Sequence, residues 1–350
     1  MNRIIPFASG LVLVWITGYL LIAGRGLLIP IVMAIFVWHL LNTINNSMQR
    51  IPILGARFPA WLSMVLSLLL VVIFARILFD IISDNVSDVI TASSRYQENL
   101  LHIFNKIDQR FHIKGLTNFD SIIKGLSIQN LLVNIYGVFT TLTSSAVLIS
   151  LYVVFLFVEQ HYFSQKMDAL FPQPEHRNLV NNIISHIMKD TQTYLGIKTL
   201  LSLGTATASW LIMKWVGLDF AEFWALLIFF LNYIPNIGAI VATAFPSVLA
   251  LIQFQGWWPF LEVTSGIVAV QFLVGNFLEP KLLGKSLNLS PFVILLALGL
   301  WGSIWGILGM FLSVPITVML MIVFAHFDGT RPIAILLSQD GRIKKSYETI

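Results

Sequence analysis

The stretch LNYIPNIGAIVA, residues 231 to 242, places a proline and two asparagines inside an otherwise apolar run. A proline in a helix interior removes a backbone hydrogen bond and clashes with the preceding turn, at a cost of about 3 kcal/mol. In hydrocarbon no water satisfies the freed carbonyl, so such a break is tolerated where protein or a water-filled cavity surrounds it. The stretch therefore predicts an interrupted membrane helix with a binding site at the interruption.

The composition of the chain indicates that this stretch belongs to an integral membrane protein. Of its 350 residues, 57% are hydrophobic and 11% are charged, whereas ordinary soluble domains carry about 25% charged residues. The basic residues behind the net charge of +4 are scattered through the loops, so nucleic acid is not expected as a partner. The sequence contains no cysteine, so neither a disulfide framework nor a thiolate metal site is available. The histidines His161, His176 and His186 lack a regular metal-ligand spacing, and we expect no metal site and no cofactor.

Apolar segments of membrane-spanning length occupy the N-terminal part of the chain. The first is too long for the apolar region of a cleaved signal peptide, and we interpret it as a retained helix that forms a hairpin with the second. We predict five early spans that each cross once, at residues 4–23, 26–41, 61–79, 136–158 and 200–216.

Two longer uncharged runs follow, at residues 223–261 and 286–327. As a single helix each would be about 60 Å long, which is twice the ~30 Å thickness of the hydrocarbon. The first is interrupted at NYIPNIG and the second at GLWGSIWGILG, so each is predicted to be a broken helix or a helical hairpin. Two interrupted segments in one half of a transporter point to its binding site.

The distribution of Lys and Arg predicts the orientation. If the N-terminus is cytoplasmic and both long runs return to the side from which they enter, the inner loops hold thirteen basic residues, whereas the short outer loops and span margins hold three. Single crossings would move Lys281 and Lys285 outside, which weakens the bias without reversing it. The predicted fold is an all-α polytopic membrane protein with two interrupted helical hairpins flanking a further span and with both termini in the cytoplasm.

Two charged segments are predicted outside the membrane. Residues 80–135 form an extracytoplasmic amphipathic segment that either caps its own helices or the membrane surface, or makes a subunit contact. Residues 159–198 form a cytoplasmic linker helix after the FPQPEH turn. The predicted divisions are 1–79, 80–135, 136–158, 159–198, a transport core at 199–327 and a cytoplasmic tail at 328–350. The apolar stripe of the outer segment consists of Val86, Ile90, Leu100, Phe104, Ile107 and Phe111.

Four motifs within residues 194–320 resemble a known family: YLGIKTLLSLGTA, FWALLIFFLNYIPNIGAIVA, GNFLEPKLLGKSLNLSP and WGILGMFLSVPITVML. In this order and spacing they resemble the autoinducer-2 exporter family of bacterial membrane proteins. The resemblance implies a multi-pass, non-enzymatic protein of the bacterial inner membrane that assembles as a homo-oligomer, with a pentamer as the assembly it suggests. Its best-known members export the furanone quorum-sensing signal autoinducer-2, and others are described as sodium/proton antiporters.

Neutral amides dominate the predicted pathway. Amides both donate and accept hydrogen bonds, which suits a small, hydroxylated, uncharged solute. The glutamates fall at predicted segment ends, which disfavours a buried proton relay, although unwound carbonyls can bind sodium. The predicted solute or ion pathway comprises Asn232, Pro235, Asn236, Gly238, Gln271 and Asn276.

These residues also have structural explanations. The two asparagines beside Pro235 could satisfy the backbone groups that the proline frees, and Asn276 could bond a neighbouring helix. Lys198 is interpreted as an anchor at a helix end rather than a substrate ligand. The EPK motif is either a solvated helix end or a gating and ion-pairing element, and the family pattern favours the second. The predicted gating or ion-pairing residues are Glu279, Pro280, Lys281, Gly302 and Gly306.

The tripeptide GKS at residues 284–286 is similar to part of a nucleotide-binding loop, but Glu279 stands where that loop requires glycine. No ATP site is expected, so transport would be passive or coupled to an ion gradient. The sequence predicts a secondary transporter or facilitator that exports a small polar solute, such as autoinducer-2, through a pathway formed by the two C-terminal hairpins. The alternatives are a cation/proton antiporter and a membrane scaffold without transport.

Overall fold

The computed structural model describes residues 4–49, 128–283 and 288–342, together with positions 65, 69, 72, 73, 76, 80, 95, 96, 98, 99 and 102. These residues are helical apart from short connections and one isolated β-bridge between Leu289 and Ser338. Six of the described helices are long and apolar enough to cross a membrane. The apolar stripe of the outer segment and most of the predicted span at 61–79 lie outside the described residues.

The described helices confirm the predicted all-α polytopic fold. A π-helical turn, Val274–Leu278, joins the seventh and eighth of them. In chain order the helices are α1 Ile4–Ala23, α2 Arg25–Gln49, α3 Ile128–Leu170, α4 Pro174–Val216, α5 Ala221–Leu231, α6 Ile237–Phe254, α7 Trp257–Leu273, α8 Glu279–Leu283, α9 Pro291–Ala325 and α10 Arg331–Leu337.

Helices α3 and α4 are much longer than a membrane span. The predicted turn at FPQPEH falls between them, and Pro174 occupies the first position of α4, where its missing N–H costs nothing. Helix α4 then continues without interruption through the apolar residues of the predicted fifth span. The charged segment at 159–198 is therefore built from the end of α3 and the start of α4.

The chain divides into two compact units. Unit 1 contains residues 1–64, 147–197 and 283–350, and in it α1 packs on both α2 and α9. The indole nitrogen of Trp305 donates to the carbonyl of Leu21 at 3.0 Å, and the rings of Phe36 and Phe311 lie 5.0 Å apart. These contacts tie the N-terminal helix pair to α9.

Unit 2 contains residues 65–146 and 198–282, and its centre is α6, which packs on both α5 and α7. Helix α7 also approaches the second half of α4 closely. A Cβ atom at Gly266 would lie 2.8 Å from the Cγ2 atom of Ile212. Helix α6 therefore packs between α5 and α7, and α4 approaches α7 at Gly266.

A polar cluster joins the outer segment to the loops of unit 2. The hydroxyl of Tyr96 donates to the carboxylate of Asp219 at 2.8 Å, and the Arg95 guanidinium donates to the same oxygen at 3.1 Å. Asn99 donates to the carbonyl of Ile252 at 3.1 Å. Burial, followed by the hydrogen bond to Asp219, raises the pKa of Tyr96 to about 12. At these positions the outer segment caps helices of the same chain.

Candidate transport site

The interruption predicted at NYIPNIG is present in unit 2. Helix α5 ends at Leu231 and α6 begins at Ile237, so the residues between them are not helical. Pro235 has no backbone N–H to donate, and Asn236 adopts φ 58°, a value on the left-handed side that helices exclude. The backbone carbonyl of Asn232 accepts no backbone hydrogen bond from the described residues. Such an open carbonyl can accept from a solute hydroxyl or coordinate a cation.

Gly238 turns the interruption into a tight hairpin. A Cβ atom at this position would overlap the carbonyl oxygen of Leu231 and lie 2.7 Å from its carbonyl carbon. In a straight helix these two residues would be about 10 Å apart. The chain therefore reverses between α5 and α6, and the two helices pack on each other. The hairpin predicted for the first long run is confirmed.

Two of the predicted amides meet at this hairpin. The amide nitrogen of Gln271, in α7, donates to the side-chain oxygen of Asn232 at 3.1 Å. Both side chains are half-buried. The bond uses one N–H and one oxygen, so the pair keeps the Asn232 amide nitrogen as a donor and the Gln271 amide oxygen as an acceptor. One free donor beside one free acceptor can hydrogen-bond a hydroxyl group, which both donates and accepts.

The other two predicted amides lie apart from this pair. Asn236 is exposed and makes no side-chain hydrogen bond at the start of α6. Asn276 is also exposed, and its amide donates to the carbonyl of Phe272 at 3.1 Å. Within unit 2, Asn276 therefore bonds its own helix rather than a neighbouring one.

A π-helical turn separates the amide pair from the EPK motif. The turn spans Val274–Leu278 and contains Gly275. A Cβ atom added at Gly275 would have no described neighbour within 4 Å. A π turn accommodates one extra residue in the helix and is frequent at functional sites. The EPK motif follows directly. Its Glu279 is half-buried, whereas Pro280 and Lys281 are exposed.

Glu279 forms a buried ion pair with a residue of α4. The Lys198 ammonium lies 2.5 Å from the Glu279 carboxylate; Lys198 is 6% exposed and the Glu279 side chain 28%. Lys198 therefore differs from the expected helix-end anchor, because a carboxylate compensates its charge in place of water. The adjacent hydroxyl of Thr199 shares a hydrogen bond with that of Tyr233 at 2.7 Å. Helix α4 thus contacts both the interruption and the EPK motif.

The glycine-rich interruption lies in α9 of unit 1. Gly306 adopts φ 64° and ψ −141°, a conformation that favours glycine. A Cβ atom at Gly309 would overlap the carbonyl oxygen of Trp301, and one at Gly302 would lie 2.9 Å from the Cγ atom of Met310. Residues eight apart in the chain therefore touch, and α9 consists of two helical arms folded back at Gly306. This confirms the second predicted hairpin.

Comparison of the sequence with known protein families identifies the family of this chain. Residues 10–329 match the model of a family described as AI-2E family transporter. The chain belongs to the AI-2E transporter family. This assignment confirms the resemblance carried by the four motifs and identifies a multi-pass bacterial membrane protein of a transporter family.

The relatives of this chain differ in what their names say. The AI-2 transport protein TqsA of Escherichia coli is 28% identical over 348 residues, which cover 97% of this chain and 98% of TqsA. A candidate transport protein of Borreliella burgdorferi is 33% identical over 246 residues, 69% of this chain and 67% of the relative. A candidate permease of Escherichia coli, PerM, is 25% identical over 342 residues, 93% of this chain and 94% of the relative.

Three residues of this site, Lys198, Thr199 and Tyr233, are absent from the predicted pathway. A signal for the ion pair is nevertheless present in the family motifs. YLGIKTLLSLGTA carries a single charge, that of Lys198, and GNFLEP carries the single charge of Glu279. Lone opposite charges in two apolar segments are expected to pair when both are buried.

Proposed function

We propose that this AI-2E family member is a secondary transporter or facilitator that exports a small, uncharged polar solute, with autoinducer-2 as the first candidate. The observation that carries the proposal is the Asn232–Gln271 hydrogen bond at the hairpin interruption. The pair offers one donor and one acceptor without a charge, which matches the hydroxyl groups of such a solute. The name of the relative TqsA supports the same solute.

The electrostatics of unit 2 also favour an uncharged solute. The buried Lys198–Glu279 pair is neutral as a whole, so it contributes no net charge that would hold an ionic solute. Its role in the proposal is to fix the EPK motif against α4. The proposed gating or ion-pairing group remains Glu279, Pro280, Lys281, Gly302 and Gly306, of which the two glycines act as a hinge in the second hairpin.

A second candidate function is sodium or cation/proton antiport. The same ion pair favours it, because a proton or a cation that competes with Lys198 for Glu279 would break the pair and couple ion binding to a conformational change. The open carbonyl of Asn232 would add an oxygen ligand for the cation.

We further propose that the protein resides in the bacterial inner membrane with both termini in the cytoplasm. The excess of basic residues on that side supports this orientation. The family resemblance supports a homo-oligomer, with a pentamer as the expected assembly. Native mass spectrometry of the detergent-solubilised protein tests the subunit number, and a monomeric mass would contradict the proposal.

The deciding experiment for function uses purified protein in liposomes. Vesicles loaded with autoinducer-2 should release it faster than protein-free vesicles, and a sodium gradient should produce no proton movement reported by an internal pH dye. Sodium-driven proton movement without autoinducer-2 flux would replace the proposal with antiport. If neither autoinducer-2 flux nor sodium-driven proton movement is observed, transport of either solute is contradicted and the scaffold alternative is supported.

A further inference from the structure

Unit 1 contains a cavity of about 470 Å³, lined by six polar residues and one methionine, that the proposed transport function does not use. Helices α2, α3 and α4 form its walls. Its volume falls within the range of about 300–1,000 Å³ typical of small-molecule sites. Met188 is its apolar lining residue, and the polar lining consists of Asn42, Gln160, Ser185, Lys189, Gln192 and Thr193.

The cavity is built from one face of α4. The five lining residues of that helix lie at positions 185, 188, 189, 192 and 193, a spacing of three and four that places side chains on one side of a helix. Opposite this face, α2 contributes Asn42, which is only 7% exposed. Its amide nitrogen donates one N–H to the carbonyl of Trp38 at 3.1 Å. Asn42 is therefore held in place before any ligand arrives.

The lining is rich in hydrogen-bond donors. The indole of Trp38 donates to the side-chain oxygen of Gln160 at 3.1 Å, which leaves the Gln160 amide nitrogen as the group available to a ligand. The second N–H of Asn42, the amide of Gln192 and the Lys189 ammonium add further donors. The side-chain hydrogens of Ser185 and Thr193 are already used on backbone carbonyls of α4.

The charge of the lining is positive. Lys189 forms no ion pair with any described residue, and no carboxylate lines the cavity along the described chain. The neighbouring carboxylate of Glu159 is engaged by Lys166. A cavity with one ammonium and several N–H donors selects an anion with several oxygens.

The cavity lies at an end of the apolar segments. Asn42 is near the C-terminal limit of the apolar part of α2, Arg25–Asn45, and the lining residues of α4 precede its predicted span at 200–216. Trp38 lies beside the cavity, and tryptophan is enriched at membrane–water interfaces. Basic pockets between membrane helices at this level bind anionic lipid headgroups.

We propose that this cavity binds a phosphate group, with Lys189 supplying the charge and Asn42, Gln160 and Gln192 supplying N–H donors. The phosphate belongs either to an anionic lipid headgroup or to a small phosphate ester dissolved in the cytoplasm. The site is independent of solute export at the hairpin interruption, and it is tested by binding rather than by flux.

The test measures the thermal unfolding midpoint of the detergent-solubilised full-length protein. Phosphatidylglycerol and glycerol 3-phosphate are titrated separately, with diacylglycerol and glycerol as their phosphate-free counterparts. A ligand that binds the folded state raises the midpoint with concentration. Lys189→Gln should require about 10-fold more ligand for the same shift, as expected for loss of one charge-assisted contact.

Gln192→Ala provides a second variant that keeps the charge and should require several-fold more ligand. Lys214→Gln is the matched control, because it removes the same charge from an exposed side chain of unit 2 that does not line the cavity. A shift with phosphatidylglycerol alone assigns the site to lipid, a shift with glycerol 3-phosphate alone assigns it to a free ester, and both shifts assign it to the shared phosphate. The proposal is overturned if neither anion shifts the midpoint of the unmodified protein, or if both cavity variants respond like Lys214→Gln.

Discussion

Replacing Glu279 with glutamine would leave the Lys198 ammonium buried without its counter-charge. Lys198 is 6% exposed and its nitrogen lies 2.5 Å from the carboxylate. Removal of one partner of a buried ion pair costs about 3–5 kcal/mol, because the remaining charge is uncompensated. The Glu279 side chain is 28% exposed, so water partly screens the pair, and we expect Glu279→Gln to lower the free energy of unfolding by about 3 kcal/mol.

The assay for this loss is reversible unfolding in mixed detergent micelles, applied to Glu279→Gln, Lys198→Met and the double variant. Removing both charges should recover most of the loss, with a coupling energy of about 2 kcal/mol. The matched control is the Lys214–Glu222 pair, whose side chains are 50% and 40% exposed, so that Glu222→Gln should cost less than about 1 kcal/mol. Equal losses for the two glutamine variants, or no recovery in the double variant, would refute the compensation of Lys198 by Glu279.

Three further predictions concern the hairpin, the outer cluster and the topology. Gly238→Ala should lower the free energy of unfolding by about 1–3 kcal/mol, because the new Cβ overlaps a backbone carbonyl. Gly275→Ala places its Cβ in open space and should not lower it. Equal effects of the two variants would contradict the close approach of Gly238 to Leu231 in the hairpin. Because the folded-state pKa of Tyr96 is raised to about 12, the stability contributed by its neutral hydroxyl is present below pH ~10 and is lost between pH ~10 and ~12. Tyr96→Phe should flatten the decline of unfolding free energy across that window, and an unchanged decline would contradict the raised pKa. In the cysteine-free chain, Gln255→Cys should react with an impermeant thiol reagent added outside and Leu287→Cys should not; labelling at position 287 would contradict returning hairpins.

The sequence predicts both interruptions because their causes are local. Pro235 cannot complete a helical hydrogen bond wherever the rest of the chain lies, and Gly306 tolerates a backbone conformation that other residues avoid. The charge-free runs add a length that no single span can accommodate. Local chemistry and length together therefore predict the hairpins before any tertiary contact is known.

The pairings across helices do not follow from the sequence. Gln271 meets Asn232 across 39 positions of the chain, and Lys198 meets Glu279 across 81. In soluble helices an apolar stripe indicates which face is buried, but helices that are apolar on every side carry no such stripe. For this reason Asn276, which bonds its own helix, is indistinguishable in the sequence from Gln271.

The most direct test of the proposed site is autoinducer-2 efflux from liposomes containing Asn232→Ala or Gln271→Ala. A buried amide contact is worth about 1–3 kcal/mol, so each variant should slow efflux about 5- to 150-fold, with unchanged expression and oligomer size. Asn181→Ala, which truncates an exposed amide in the first half of α4, should transport at the unmodified rate. Full efflux by both amide variants would contradict a role of the hairpin interruption in solute binding.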